Sequence, residues 1–199
     1  MSESTSRDHR VLAIALAFGA AACLIFACFT REWLINVSSR EDRGVGLRSN
    51  FSCIVGAGEA GCSNLTNHEL VEEFRSEGTE TSRQTSGAFV PMGWATFVEC
   101  LVAALGVLAA AALALARKTP DLPIAPTTVG LLAVMATLIT GMVFIATKPG
   151  PPGYVGVGLS FWVFSVGAVA GIVANQMLAK INRPVDPDLL ADSMNPDQY

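Results

Sequence analysis

Few side chains in this sequence could carry chemistry, and Glu99 is the first of them. It is the one charged residue between Ala88 and Ala116. Placing a charged carboxylate in hydrocarbon costs about 2.5–3.5 kcal/mol on insertion scales, so such a group calls for a function. It could relay protons, bind a cation, or meet a partner's Lys or Arg. It could also be a protonated acid hydrogen-bonded to Thr96, Thr137 or Thr140. No second acid, His, Lys or Arg lies in the apolar stretches. That favours structural glue or a partner contact over transport.

Cysteines are the next candidates. Cys53 and Cys62 are the only two outside the apolar stretches. Their spacing would close a short loop, and disulfides persist in oxidising compartments. Two free thiols are the other reading. Zinc has little support, because only His68 is near and no second cysteine pair exists. Cys23, Cys28 and Cys100 sit among apolar residues and read as inert small hydrophobes. The chain has no Cys-x-x-Cys pair for thiol exchange. His9 and His68 lie in polar segments and read as solvated. No phosphate loop, serine triad or His/carboxylate cluster is present in the sequence. The expectation is a protein that is not an enzyme and that uses no cofactor or metal. The net charge is −4, with no Lys/Arg cluster that would suit nucleic acid.

The elements that must position these residues are mostly apolar. Apolar residues make up 51% of the chain and charged ones 15%, against roughly a quarter charged in soluble domains. Charges are nearly absent from residues 11–29, 88–116, 124–147 and 154–179. About 20 apolar residues of helix cross a bilayer core some 30 Å thick. The expected fold is therefore all-α and membranous: four transmembrane helices in an antiparallel bundle. The short connections at 117–123 and 148–153 allow only antiparallel neighbours. Residues 1–10 read as a cytoplasmic stub, and the proline-broken, acidic residues 180–199 as a disordered tail. Arg7 and Arg10 precede the first segment as they would in a signal peptide. It lacks a clear small-x-small cleavage site, so a retained helix is expected.

Orientation follows from charge density and the cysteines. With both termini cytoplasmic, Arg7, Arg10, Arg117, Lys118, Lys180 and Arg183 flank the spans on the inside. The loop at 30–87 holds six arginines, but long loops translocate largely regardless of charge. The cysteine pair places this loop outside, in an oxidising space. Three acceptor tripeptides, at Asn36, Asn50 and Asn64, fall in the same loop and add weak support. The expected location is a plasma or bacterial inner membrane.

Within the loop, Trp33-Leu34-Ile35-Asn36-Val37 and Phe51-Ser52-Cys53-Ile54-Val55 favour short strands. A small disulfide-pinned antiparallel sheet is expected. Thr66-Asn67-His68-Glu69 fits a capping box, and Leu70, Val71 and Phe74 follow on one helical face. Lipid gives no hydrophobic drive between helices, so small residues must pack them. Gly167 and Gly171 form a GxxxG match in the fourth span, and Thr137 and Gly141 have the same spacing in the third. These residues are expected to pack within the chain, or to dock a partner. Asn175 and Gln176 read as polar contacts near the inner end of the fourth span.

A Trp just after the first span, then Gly-Leu, then two cysteines is a pattern that resembles the claudin superfamily. That group includes claudins, peripheral-myelin-protein relatives and calcium-channel γ subunits. Here the pattern rests on Trp33, Gly46, Leu47, Cys53 and Cys62. The resemblance implies that these are fold residues of an extracellular sheet standing on the helices. Arg48 stands where the family has Trp, and Gly46-Leu47 lies two residues farther from Cys53 than the family pattern. The expected function is non-enzymatic: lateral or trans protein–protein contacts with a membrane-protein partner or another copy, amid membrane lipids. An accessory subunit of a channel, transporter or respiratory complex is the second expectation. A small transporter or enzyme using Glu99 is the third.

Overall fold

Why a mostly helical chain carries a sheet at all follows from where its apolar runs stop. The computed structural model describes residues 2–37, 41–54, 56, 61–76, 86–116, 124–149 and 155–181, with side chains from Asp8 onward. Its long helices are α1 (Ser2–Phe29), α3 (Phe89–Ala116), α4 (Pro126–Ala146) and α5 (Leu159–Ile181). All four contain a stretch long and apolar enough to cross a membrane. At 1.5 Å per residue, the 21 residues of α4 span about 31 Å, close to the thickness of a bilayer core. Pro126 starts α4 at a position where its missing N–H costs nothing, after Ala125 in extended conformation. The connection at 117–123, the residues at 150–153, most of the linker before α3 and the tail beyond 181 lie outside the described residues.

Between α1 and α3 the chain forms β1 (Leu34–Val37), β2 (Glu41–Val45), β3 (Ser49–Ile54), β4 (Cys62–Thr66) and the short helix α2 (Asn67–Ser76). A two-residue strand, β5 (Gly156–Val157), precedes α5. Together they make one antiparallel sheet of order β4-β3-β2-β1-β5. The Cys53–Cys62 disulfide joins β3 to β4 at directly opposed positions. The sheet and disulfide thus agree with the sequence-based expectation.

Three strands differ from it in detail. Glu41-Asp42-Arg43-Gly44-Val45 has little strand propensity, yet it is a central strand because β1 and β3 take up its backbone on both sides. β4 is polar and mostly exposed, and it pairs along β3 through the register that includes the cysteines. The fourth span was expected from residue 154, but α5 begins at Leu159. Glycines at 156 and 158 disfavour helix, and the strand between them pairs with Leu34 and Ile35. α1 begins at Ser2, so the helix also covers polar residues ahead of the first apolar run.

Trp33 couples sheet to helices. It is fully buried. Its indole N–H donates to the Ala27 carbonyl at 2.6 Å. Its ring meets Phe164 (4.9 Å between centroids), Phe144 (5.9 Å) and Phe161 (6.1 Å). Phe89 stacks on the other side of this cluster against Phe144 at 4.6 Å. The Trp33 backbone accepts from Gly158, just after β5, and donates to Val45, so one residue links β2, the start of α5 and the helix core. On the far side of the sheet, buried Arg43 bonds Glu41 at 2.8 Å and lies over the Phe74 ring of α2.

Truncating a buried Trp costs about 3–5 kcal/mol. Trp33→Ala is expected to destabilise the chain by that order in denaturant unfolding in detergent. Trp33→Phe, which keeps the ring stack but loses the Ala27 bond, is expected to cost much less.

Candidate functional site

Apart from the Cys53–Cys62 disulfide between β3 and β4, most residues singled out from sequence fall into three places, and the most elaborate is the turn between β2 and β3. Gly46 N donates to Ser49 O at 2.9 Å, which closes the turn over Leu47 and Arg48. From α2, the Asn67 side-chain amide donates to Gly46 O at 2.9 Å, and Asn67 N donates to Arg48 O at 3.1 Å. The turn is wedged between helix ends. A Cβ on Gly46 would stand 2.6 Å from the Thr30 carbonyl, and one on Gly93 would collide with the Leu47 carbonyl. Leu47 is buried. Gly46 and Leu47 therefore sit at the junction that Trp33 seals from the other side.

Arg48 occupies the same junction in an unexpected way. Its guanidinium lies 4.1 Å from the centroid of Phe97, 5.6 Å from Trp94 and 5.8 Å from Phe29. Cation–π contacts contribute roughly 0.5–2 kcal/mol depending on desolvation. In the sequence Arg48 stands out only as a departure from a family pattern. Its three rings come from two helices and could not be assembled from spacing.

The second place is Glu99, half-buried on α3. The Thr140 hydroxyl of α4 donates to Glu99 Oε2 at 2.6 Å. Thr96 and Thr137, the other sequence candidates, instead donate to carbonyls of their own helices, Met92 at 2.8 Å and Ala133 at 2.7 Å. Thr140 Oγ1 also lies 3.2 Å from the Ala136 carbonyl and 3.3 Å from the Thr137 carbonyl of its own helix, so Glu99 is the shortest of its three acceptors.

Small residues occupy the third place. A Cβ at Gly167 would stand 2.6 Å from Cys23 Cβ, and one at Gly171 3.3 Å from Val134 Cγ2. A Cβ at Gly141 would stand 3.3 Å from Phe164. Gly167, Gly171 and Gly141 thus face neighbours within the chain, and Thr137 is fully buried. One close backbone approach was not paired from sequence: a Cβ on Gly106 would meet Gly130 Cα at 2.7 Å. Beside it, Asn175 is buried and donates to Gly171 O at 3.0 Å. Cys28 and Cys100 are buried and free, and Cys28 lies 3.7 Å from the Phe97 carbonyl. His68 is exposed beside Glu72. Among the described residues no group of three His, Cys, Asp or Glu is arranged to hold a metal. An apolar groove of about 600 Å³ runs between α1 and α5, lined by Leu16, Trp162, Val166 and Val169 among others.

At the start of α2, Thr66 and Glu69 cap each other. Thr66 N donates to Glu69 Oε2 at 2.6 Å, and Glu69 N donates to Thr66 Oγ1 at 3.2 Å. The backbone bond from Thr66, then its hydroxyl bond, hold the Glu69 carboxyl below its ordinary value of 4.5. No family model matches this chain, and a search of curated proteins finds no match.

Two outcomes follow. Cys53→Ser removes a cross-link that closes about ten residues and contributes roughly 2.5–3 kcal/mol by chain entropy; faster amide exchange in β3 and β4 is expected. The Glu69 cap is fully present above the unfolded pKa and lost as pH falls through the lowered folded value. Exchange protection at the start of α2 should therefore drop on acidification below the usual carboxylate range. Glu69→Gln should flatten that pH dependence.

Proposed function

We propose that this is a non-enzymatic, claudin-like protein whose four helices cross the membrane as an antiparallel bundle. Both termini lie in the cytoplasm, and the sheet and α2 stand outside. The sheet and the helix faces make lateral or trans contacts with a membrane-protein partner or a second copy. One observation carries the reading. Strands from the long loop and from the segment before α5 pair into one sheet, seated on the helices by Trp33. Residues at the claudin-like positions, Trp33, Gly46, Leu47, Cys53 and Cys62, all belong to that seat or its disulfide.

The sheet supports contact-making in a specific way. β4 is an edge strand with β3 as its neighbour and with exposed Ser63 and Asn64. An open edge of this kind pairs with an extended segment of another chain. The disulfide keeps it straight and in register. A second reading, an accessory subunit of a larger membrane complex, is favoured by Glu99. Its side chain is not enclosed by the chain's own helices, so a partner's cation could reach it.

Photo-crosslinking from position 63 in native membranes tests the first reading. The expected result is a discrete adduct with one protein or with a second copy; adducts to lipid alone would overturn it. Orientation is tested by Glu72→Cys and Ala116→Cys. An impermeant maleimide should label position 72 in intact cells and position 116 only after permeabilisation. For the second reading, Glu99→Gln still accepts the Thr140 bond, so a stability change under about 1 kcal/mol is expected. Loss of a co-purifying complex in that well-folded variant would favour the accessory role.

A further inference from the structure

Arg48 combines a fixed charge, an aromatic setting and a position at the rim of the helices. The end of α1 supplies Phe29, and the first turns of α3 supply Trp94 and Phe97. Phe29 and Trp94 are about half exposed or more, at 60% and 49%. Phe97 is buried and takes one face of the guanidinium. Stacking on a ring face leaves the in-plane N–H donors pointing away from the ring, and these five donors still require acceptors. Arg48 forms no ion pair among the described residues; their ion pairs are Arg43 with Glu41 and Glu73, and His68 with Glu72. Arg31, whose backbone lines the same turn, bonds the neutral amide of Asn64. Neither arginine is in an ion pair among the described residues.

We propose that Arg48 is the centre of a phospholipid site in the outer leaflet, binding the phosphodiester of one headgroup. This rests on the membrane-spanning reading above, which puts the ends of α1 and α3 at headgroup depth. A planar guanidinium matches a phosphate with two parallel hydrogen bonds. The exposed faces of Trp94 and Phe29 suit the glycerol and first methylenes below it, as interfacial aromatic rings do. Phe97 and the clamped backbone of Arg48 hold the fork in place before the lipid arrives, so little ordering is required on binding. The turn supplies both parts: Gly46 brings the backbone against Thr30, and Leu47 buries beside it, which leaves Arg48 directed over the rings.

The full chain is released from mild detergent and its bound lipid read by native mass spectrometry. The probes are phosphatidylglycerol, diacylglycerol with the same chains, and inorganic phosphate. Wild type should retain one phosphatidylglycerol in preference to diacylglycerol. Arg48→Gln and Arg48→Trp should weaken phosphatidylglycerol retention at least about tenfold, equivalent to about 1.4 kcal/mol, with diacylglycerol unchanged. Arg48→Trp keeps an aromatic plug in the junction. An intact disulfide and a single elution peak show that each variant has folded. If folded Arg48→Gln and Arg48→Trp both hold phosphatidylglycerol like wild type, the site is overturned. Displacement of the lipid by millimolar inorganic phosphate would overturn the lipid as the ligand. Release of wild type from membranes by alkaline carbonate would overturn the spanning reading and this proposal with it; retention together with unchanged binding would overturn the Arg48 site alone.

Discussion

The seating of one indole holds this structure together. Trp33 is buried among Phe144, Phe161 and Phe164 with its N–H satisfied by Ala27. A buried indole donor without a partner would cost more than the bond itself contributes. The end of α1 must therefore present the Ala27 carbonyl to it. Its backbone meanwhile ties Val45 of β2 to Gly158, the residue that follows β5. Position, orientation and strand pairing of the sheet are all constrained by this residue.

A second constraint is close approach. The turn at Gly46-Leu47-Arg48 lies against Thr30 and Gly93 at distances that exclude side-chain atoms. Elsewhere Gly106 meets Gly130, and Gly167 meets α1 beside Cys23. Such contacts let backbones pack where apolar surroundings give helices no reason to associate. Helix packing here depends on small residues, and the sheet rests on the same device. An edge strand, a half-enclosed acid and a ring-stacked cation are all carried on elements packed in this way.

Polar groups follow a consistent logic. Glu99 receives the Thr140 hydroxyl across the α3–α4 contact, whereas Thr96 and Thr137 satisfy themselves within their helices. Arg43 is buried against Glu41 and Phe74, on the face of the sheet that meets α2. Arg48 has aromatic faces and no acid among the described residues. Two arginines five positions apart thus have opposite surroundings, one neutralised and one not. That difference makes Arg48 the candidate for an external anion.

The amino-acid sequence by itself determined the four long helices, because each apolar run is long enough to be helical and too long to be anything else in this setting. It also determined the capping box at Thr66 and Glu69, since that signal lies within four residues. A sheet closed by Cys53 and Cys62 was legible from two cysteines in polar sequence. Tertiary structure decided the rest. Glu41–Val45 became a strand against its own propensity because its neighbours needed a partner. Gly156–Val157 left the expected helix because β1 offered backbone bonds more than a hundred residues away in sequence. Which threonine meets Glu99, which glycines touch, and that Arg48 lies over Phe29, Trp94 and Phe97 are all contacts between elements. Local periodicity records which face of an element is apolar; it does not record which residue of another element arrives there.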